Sequence, residues 1–190
     1  MEHSGYDVLG RFYTEFIRYA GSEQKQGLVL TPFHITDFFC DLADLTAHDV
    51  LYDPCCGTAG FLVAGMKRMF REAGNDDALK TRIRSRQLVG VELRPNMYTY
   101  ACSNMLLRGD GKSNIYCGDC FQIKDRIKEN HKPTVAFLNP PYDVGVAEQL
   151  RFVQHALDVV SPQNGRVVAI VQMSCAIKEE KDLKAVKQEL

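Results

Sequence analysis

Residues 134–142 read TVAFLNPPY, and how this stretch is taken decides the fold. Val135, Ala136, Phe137 and Leu138 form a short apolar run of the kind that a parallel sheet buries on both faces. Apolar character stops at Asn139. Pro140 and Pro141 follow, fixing two φ angles and removing two N–H groups that would otherwise compete for the nearby carbonyls. Tyr142 then places an aromatic ring where the strand has just ended. A buried strand that runs into a stiff polar loop puts that loop at the carboxyl edge of a sheet, where α/β proteins bind ligands.

Asn139, Pro140, Pro141 and Tyr142 together suit one chemical problem, alkyl transfer to a planar conjugated amine. The lone pair of such a nitrogen is delocalised into its ring, which makes it a poor nucleophile. If the Asn139 side-chain oxygen and the Pro140 carbonyl each accept one of its N–H bonds, the nitrogen is pushed toward tetrahedral geometry with its lone pair outward. Tyr142 would stack on the ring and hold its plane. The same residues also fit a proline-rich strand exit with an asparagine turn, and their companions along the chain decide between the two.

With 190 residues, 45% of them hydrophobic, the chain can bury one substantial core. Its net charge of −1 lacks the basic surplus of a self-sufficient nucleic-acid binder. If DNA is the substrate, other residues or subunits supply much of the grip. The first residues carry no signal-peptide pattern and no run approaches membrane-spanning length, so a cytoplasmic location without a membrane partner is expected. Seven cysteines there read as reduced thiols, an odd number that already argues against a complete disulfide framework. Cys117 and Cys120 form one C-x-x-C with no second pair at zinc-ribbon spacing, and no metal is expected.

Outward from the central strand, helices and strands alternate. Val8, Leu9, Phe12, Phe16, Ile17 and Tyr19 recur at helical spacing and predict a helix at 6–20, inside an N-terminal segment 1–30. Thr31 is placed to cap a helix that opens at Pro32 and carries Phe33, Ile35, Phe38, Phe39 and Leu42. A free helix start bearing a hydroxyl is also a ready carboxylate site. A strand at 50–52 leads into the loop DPCCGTAGFL, residues 53–62, and a helix to about Ala73. Gly57 and Gly60 let the backbone approach a ligand closely, yet the spacing is not the dinucleotide G-x-G-x-x-G. Asp53 at the strand end would repel a pyrophosphate and attract an ammonium group, which suits an amino-acid moiety.

A short charged helix at 76–86 precedes a strand at 87–93, QLVGVEL, whose Glu92 can accept both hydroxyls of a ribose. A proline-initiated helix at 95–108 leads to a strand at 114–119, NIYCGD. Asp119 could accept from an adenine exocyclic amine, with Cys120 and Phe121 beside the ring. After residue 142, a helix at 148–160, a turn at 161–165, a strand at 166–172 and a charged helix at 176–190 complete the pattern. Five strands alternating with helices predict an α/β fold with a doubly wound, mostly parallel sheet. Three strands ending in Asp53, Glu92 and Asp119 would turn one carboxylate each toward one crevice.

With these residues assembled, the chain resembles the N6-adenine DNA methyltransferases, most closely the modification subunits of type I restriction systems. A DP-x-x-G-x-x-G-F loop, a strand-end Glu, a G-D pair and an NPP-F/Y loop occur in the family's order, at residues 53–61, 92, 118–119 and 139–142. The segment YACSNMLLRG at 100–109 and the pair Thr31-Pro32 add to the likeness. The resemblance implies an S-adenosylmethionine-dependent catalytic domain over 31–190. It places Thr31, Asp53, Gly57 and Gly60 around the methionine part of the cofactor, Glu92 at the ribose, and Asp119 at the adenine with Cys120 and Phe121 beside the ring, and it adds Pro54, Thr58, Phe61 and Leu93 to the cofactor-binding residues. Asn139, Pro140, Pro141 and Tyr142 would hold a target adenine flipped out of the duplex, for direct transfer to N6. DNA is the implied substrate, and specificity and restriction subunits are the implied partners. Leu30 stands where the family usually has an aromatic residue, and the last strands and a target-recognition segment are expected beyond residue 190. RNA-base and protein-glutamine methyltransferases also use NPPY, and a non-catalytic module of the same fold is a third reading. The Thr-Pro element and the helix at 103–107 favour DNA. Cytosine C5 chemistry would need a cysteine nucleophile, and Pro54-Cys55 lies in the cofactor loop instead.

Overall fold

The structure is a computed structural model that describes residues 31–109 and 114–177. The expected helix at 6–20 and residues 178–190, most of the expected terminal helix, lie outside the described residues. In chain order the elements are α1 (Phe33–Leu42), β1 (Leu51–Asp53), α2 (Gly60–Ala73), α3 (Asp77–Arg86), β2 (Leu88–Glu92) and α4 (Pro95–Leu106). They continue as β3 (Asn114–Cys117), α5 (Lys124–His131), β4 (Val135–Leu138), α6 (Val146–Val160), β5 (Arg166–Ala169) and the short α7 (Ser174–Ile177). All strand pairs are parallel and the sheet order is β3-β2-β1-β4-β5, the doubly wound arrangement.

Alternation along each strand divides the core between the two faces of the sheet. Leu51, Leu88, Val135 and Phe137 join one cluster with α1, α2 and α4. Tyr52, Val89, Val91, Ala136 and Leu138 join the other with α5 and α6. Every residue of β4 is fully buried, as an apolar run without alternation requires of a central parallel strand. On the first face, Phe39, Phe61 and Phe137 form a ring cluster with centroids 4.6 to 5.8 Å apart. Gly165 brings the chain from α6 into β5. A Cβ there would lie 2.5 Å from the Thr134 carbonyl and 2.6 Å from Val160 Cβ, so only glycine allows this approach.

Several boundaries differ from the sequence expectation for identifiable reasons. Gln87 caps α3, its N–H donating to the Ile83 carbonyl, so β2 begins one residue later. β3 stops at Cys117, although the Gly118 N–H still donates to the Glu92 carbonyl. β5 ends at Ala169 because its neighbour β4 ends at Leu138 and turns away; the Ile170 N–H makes the last bond, to the Leu138 carbonyl. α5 was not expected at all. Its sequence KDRIKENH buries one residue, Ile127, and so shows no apolar stripe. At α1 the residue at the N-cap is Pro32, which has extended dihedrals, while Thr31 stands one place earlier and does not cap the helix.

Candidate active site

Because β3, β2, β1 and β4 are successive neighbours, the residues at or just past their carboxyl ends fall along one edge of the sheet. These are Asp119, Glu92, Asp53 and Asn139. The connections diverge between β1 and β4, and that divergence opens a crevice. Its walls include Pro54, Gly57, Glu92, Leu93, Asp119 and Cys120 on the side of β1 to β3, and the whole of Asn139, Pro140, Pro141 and Tyr142 on the side of β4. Arg94 and Asp143, also on the walls, form an ion pair of 3.6 Å linking the two sides.

Glu92 braces the wall on the side of β1 to β3. Its Oε2 accepts the Gly57 N–H at 2.9 Å and its Oε1 accepts the Arg94 N–H at 2.8 Å. Burial raises its pKa above the ordinary carboxylate value, while the N–H groups of Arg94 and Gly57 oppose that rise. Each oxygen keeps a second lone pair for a ligand hydroxyl. Gly57 has φ +54°, and a Cβ there would meet no atom within 4 Å, so the loop leaves space beside the crevice. Ala59 shares the left-handed region at φ 66° while fully buried, a conformation that costs a non-glycine residue about 1 kcal/mol. Part of what holds this strained loop is Asn104 of α4, whose Nδ2 donates to the Thr58 carbonyl at 2.7 Å. Arg108 donates in turn to Asn104. Asn104 was not singled out from the sequence; its position inside SNMLL was the available signal.

Asp53 lies beneath the loop and does not line the crevice. It is 1% exposed, and its Oδ1 accepts the Cys55 N–H at 3.1 Å. Burial pushes its pKa from 3.8 up to about 8 against that bond, with Glu92 adding to the rise. The unfolded chain releases this proton near the lower value and the folded protein near the higher one. The folded state therefore holds more protons in the window between 3.8 and about 8, and the stability due to this group is full at the acid end and lost as pH rises through the window. Asp53→Asn keeps an acceptor for Cys55 and is expected to flatten that decline. Urea midpoints of both proteins across the window check it, and parallel slopes would contradict the assignment.

Asp119 holds its own turn, its Oδ1 accepting the Phe121 N–H at 2.9 Å and its Oδ2 accepting from Gln122 Nε2 at 3.3 Å. Leu93 is 67% exposed at the crevice wall, an apolar surface left for a flat ring to cover. Phe121 packs edge-on against Phe152 and His155 and lies outside the crevice. Thr31, Thr58, Gly60 and Phe61 also lie outside its walls, Thr31 joined to them through Asn139 and Phe61 in the ring cluster of the core. Burial drives the Cys55 thiol well above its ordinary pKa and that of Cys120 to about 12, so both stay protonated and neither is an activated nucleophile. Among the described residues no group of three or more His, Cys, Asp or Glu is placed to hold a metal, and no helix is long and apolar enough to cross a membrane.

Asn139 carries the least ordinary environment. Its Nδ2 donates to Thr31 Oγ1 at 3.1 Å, which brings the residue before α1 to the end of β4. Its Oδ1 is buried and has no hydrogen-bond partner. A polar atom in that condition costs about 1 to 3 kcal/mol, which a ligand N–H can recover. Pro140 is buried behind it and holds the loop stiff.

Residues 4–151 match the family model described as N-6 DNA Methylase. The chain is 35% identical over 195 residues to the type II restriction enzyme and methyltransferase RM.BcgI of Heyndrickxia coagulans, covering 99% of this chain and 30% of that protein. It is 28% identical over 144 residues to the type I restriction enzyme MjaIX methylase subunit of Methanocaldococcus jannaschii, covering 75% of this chain and 24% of that one. The chain thus spans about a third or less of the length of these curated relatives. Among solved structures, a chain from a study of complex assembly in the type I R-M system superposes with a TM-score of 0.79 at 23% identity, over 97% of this chain and 40% of that one, and so shares its fold.

Proposed function

Because this chain belongs to the N-6 DNA methylase family, we propose that it transfers a methyl group from S-adenosylmethionine to the N6 amine of adenine in DNA. The observation that carries the reading is Asn139 Oδ1, a buried acceptor with no protein partner, on a residue that lines the crevice in a loop stiffened by two prolines. An amine N–H is the group such an atom lacks.

The residues present fit the cofactor. Glu92 has lone pairs left for the ribose hydroxyls, Asp119 has them for an exocyclic amine, Leu93 offers an apolar surface to a ring, and Gly57 keeps space open beside the loop. Thr31, Asp53 and the loop at 57–60 would lie toward the methionine end. When bound, S-adenosylmethionine supplies an electrophilic methyl on a sulfonium.

The chain's own part is to hold and polarise the acceptor base. Asn139 Oδ1 and the Pro140 carbonyl each accept a hydrogen bond from N6, which pushes the nitrogen toward tetrahedral geometry and withdraws its lone pair from conjugation with the ring. The same two oxygens would stabilise the positive charge that grows on N6 as it is alkylated, until one N6 proton is lost to solvent. Tyr142, half-buried on the crevice wall, is placed to stack on the base. An adenine inside a duplex cannot reach this edge, so the base is flipped out. The net charge of −1 leaves the grip on DNA to parts beyond these residues, such as specificity and restriction subunits.

The test is to incubate the protein with labelled S-adenosylmethionine and DNA, RNA or protein substrates. Label is expected in DNA, as N6-methyladenine. Label confined to RNA bases or to a protein glutamine would overturn the assignment.

A further inference from the structure

The amide of Asn139 has two ends of similar shape and opposite hydrogen-bonding sense. With Oδ1 toward the substrate it accepts an amine N–H; turned over, it would meet that N–H with a donor. Here Nδ2 is engaged by Thr31 Oγ1 and Oδ1 is left unspent. The Thr31 hydroxyl does not fix this choice by itself, because a hydroxyl can accept from Nδ2 or donate to Oδ1. Whatever takes the hydroxyl hydrogen decides. If an anion takes it, the hydroxyl oxygen has only lone pairs to offer Asn139, and Nδ2 must face Thr31. Two hydrogen bonds then run in one direction, from amide to hydroxyl to anion, and each polarises the other.

We infer that Thr31 is a positioning residue that couples cofactor binding to the orientation of Asn139, with the cofactor carboxylate accepting the Thr31 hydrogen and thereby leaving Oδ1 as the acceptor for the substrate amine. The inference rests on the function proposed above, in which the amino-acid end of S-adenosylmethionine lies by Thr31. Its consequence is order: the methyl donor, once in place, locks Asn139 in the amine-accepting orientation that the Thr31 bond already favours. Residues 108 positions apart in the chain are thereby joined in one relay.

The experiment follows the side-chain amide of Asn139 by NMR in the chain with isotope-labelled asparagine, the resonance being assigned by its loss in Asn139→Ala. S-adenosylhomocysteine, which carries the carboxylate and cannot transfer a methyl, is expected to sharpen the Asn139 amide pair and shift one proton downfield. Methylthioadenosine, which lacks the amino-acid part, is expected to leave the pair unshifted at saturation. Thr31→Val should abolish the response to S-adenosylhomocysteine while calorimetry still detects its binding, and Thr31→Ser should restore it. An equal response to both ligands, or a response kept in Thr31→Val, overturns the inference alone. Failure of S-adenosylhomocysteine to bind the wild type overturns the proposed function and this inference with it. If Thr31→Val does not fold, the two-ligand comparison in the wild type decides.

Discussion

Asn139→Ala is expected to lower methyl transfer to adenine by roughly a hundred- to a thousandfold, with S-adenosylmethionine binding retained. The size follows from what one preorganised hydrogen-bonding group contributes when charge develops in a water-poor site. In the proposed reaction Asn139 Oδ1 is such a group: it is buried, has no partner, and its amide is held by the Thr31 bond next to the buried Pro140. Removing it would take away one of the two acceptors proposed to turn the N6 lone pair outward. It leaves Glu92 and Asp119 and their backbone partners untouched. Single-turnover transfer with labelled cofactor, beside calorimetry of cofactor binding, separates the two effects. Undiminished transfer would remove Asn139 from the chemistry, and a parallel loss of cofactor affinity would make its role structural.

Phe137→Ala is expected to destabilise the fold by about 3 to 5 kcal/mol, a large fraction of the total for a domain of this size. Phe137 is fully buried in β4, and its ring meets Phe39 of α1 at 5.4 Å and Phe61 of α2 at 5.8 Å, edge-on in both cases. Truncation would open a cavity where two helices and the sheet meet. The surrounding groups are ill placed to fill it, since β4 is hydrogen-bonded to strands on both sides. Urea unfolding gives the loss directly, and a change below about 1 kcal/mol would mean that the core repacks around the gap. The variant should also loosen the catalytic loop, because Asn139 lies two residues beyond this ring.

The legible parts of the fold were those written in local chemistry. Two prolines after an apolar run ended β4 at Leu138. The glycine loop at 53–60 likewise gave itself away through its turn residues, and the proline start of α4 was placed correctly at Pro95. α5 was missed because a helix that buries only Ile127 has almost no periodic signal. Strand ends were overextended in β5 because an apolar run does not reveal where its neighbour stops; that depends on β4 turning away at Asn139.

The candidate site divides in the same way. Glu92, Asp119 and Asn139 could be read as strand-end polar groups, and the strand order brings them to one edge. Asp53 could be read as a strand-end acid, but its burial beneath the loop could not. Thr-Pro before an apolar helix has the local form of a helix cap, but the Thr31 hydroxyl accepts instead from the side chain that ends β4, 108 residues away. Asn104 secures the Thr58 carbonyl from 46 residues away, a partner that its place in SNMLL does not state.

By itself the sequence determined the order of the elements, the residues that stand at the strand ends, and the stiff loop after the central strand, because dihedral preference and apolar periodicity act between near neighbours. Only the tertiary structure decided that β1 lies between β2 and β4, that Asp53 is shut away beneath the loop, and that Thr31 meets Asn139. Each of these depends on which distant surfaces exclude water together, and the order of residues along a chain does not state that.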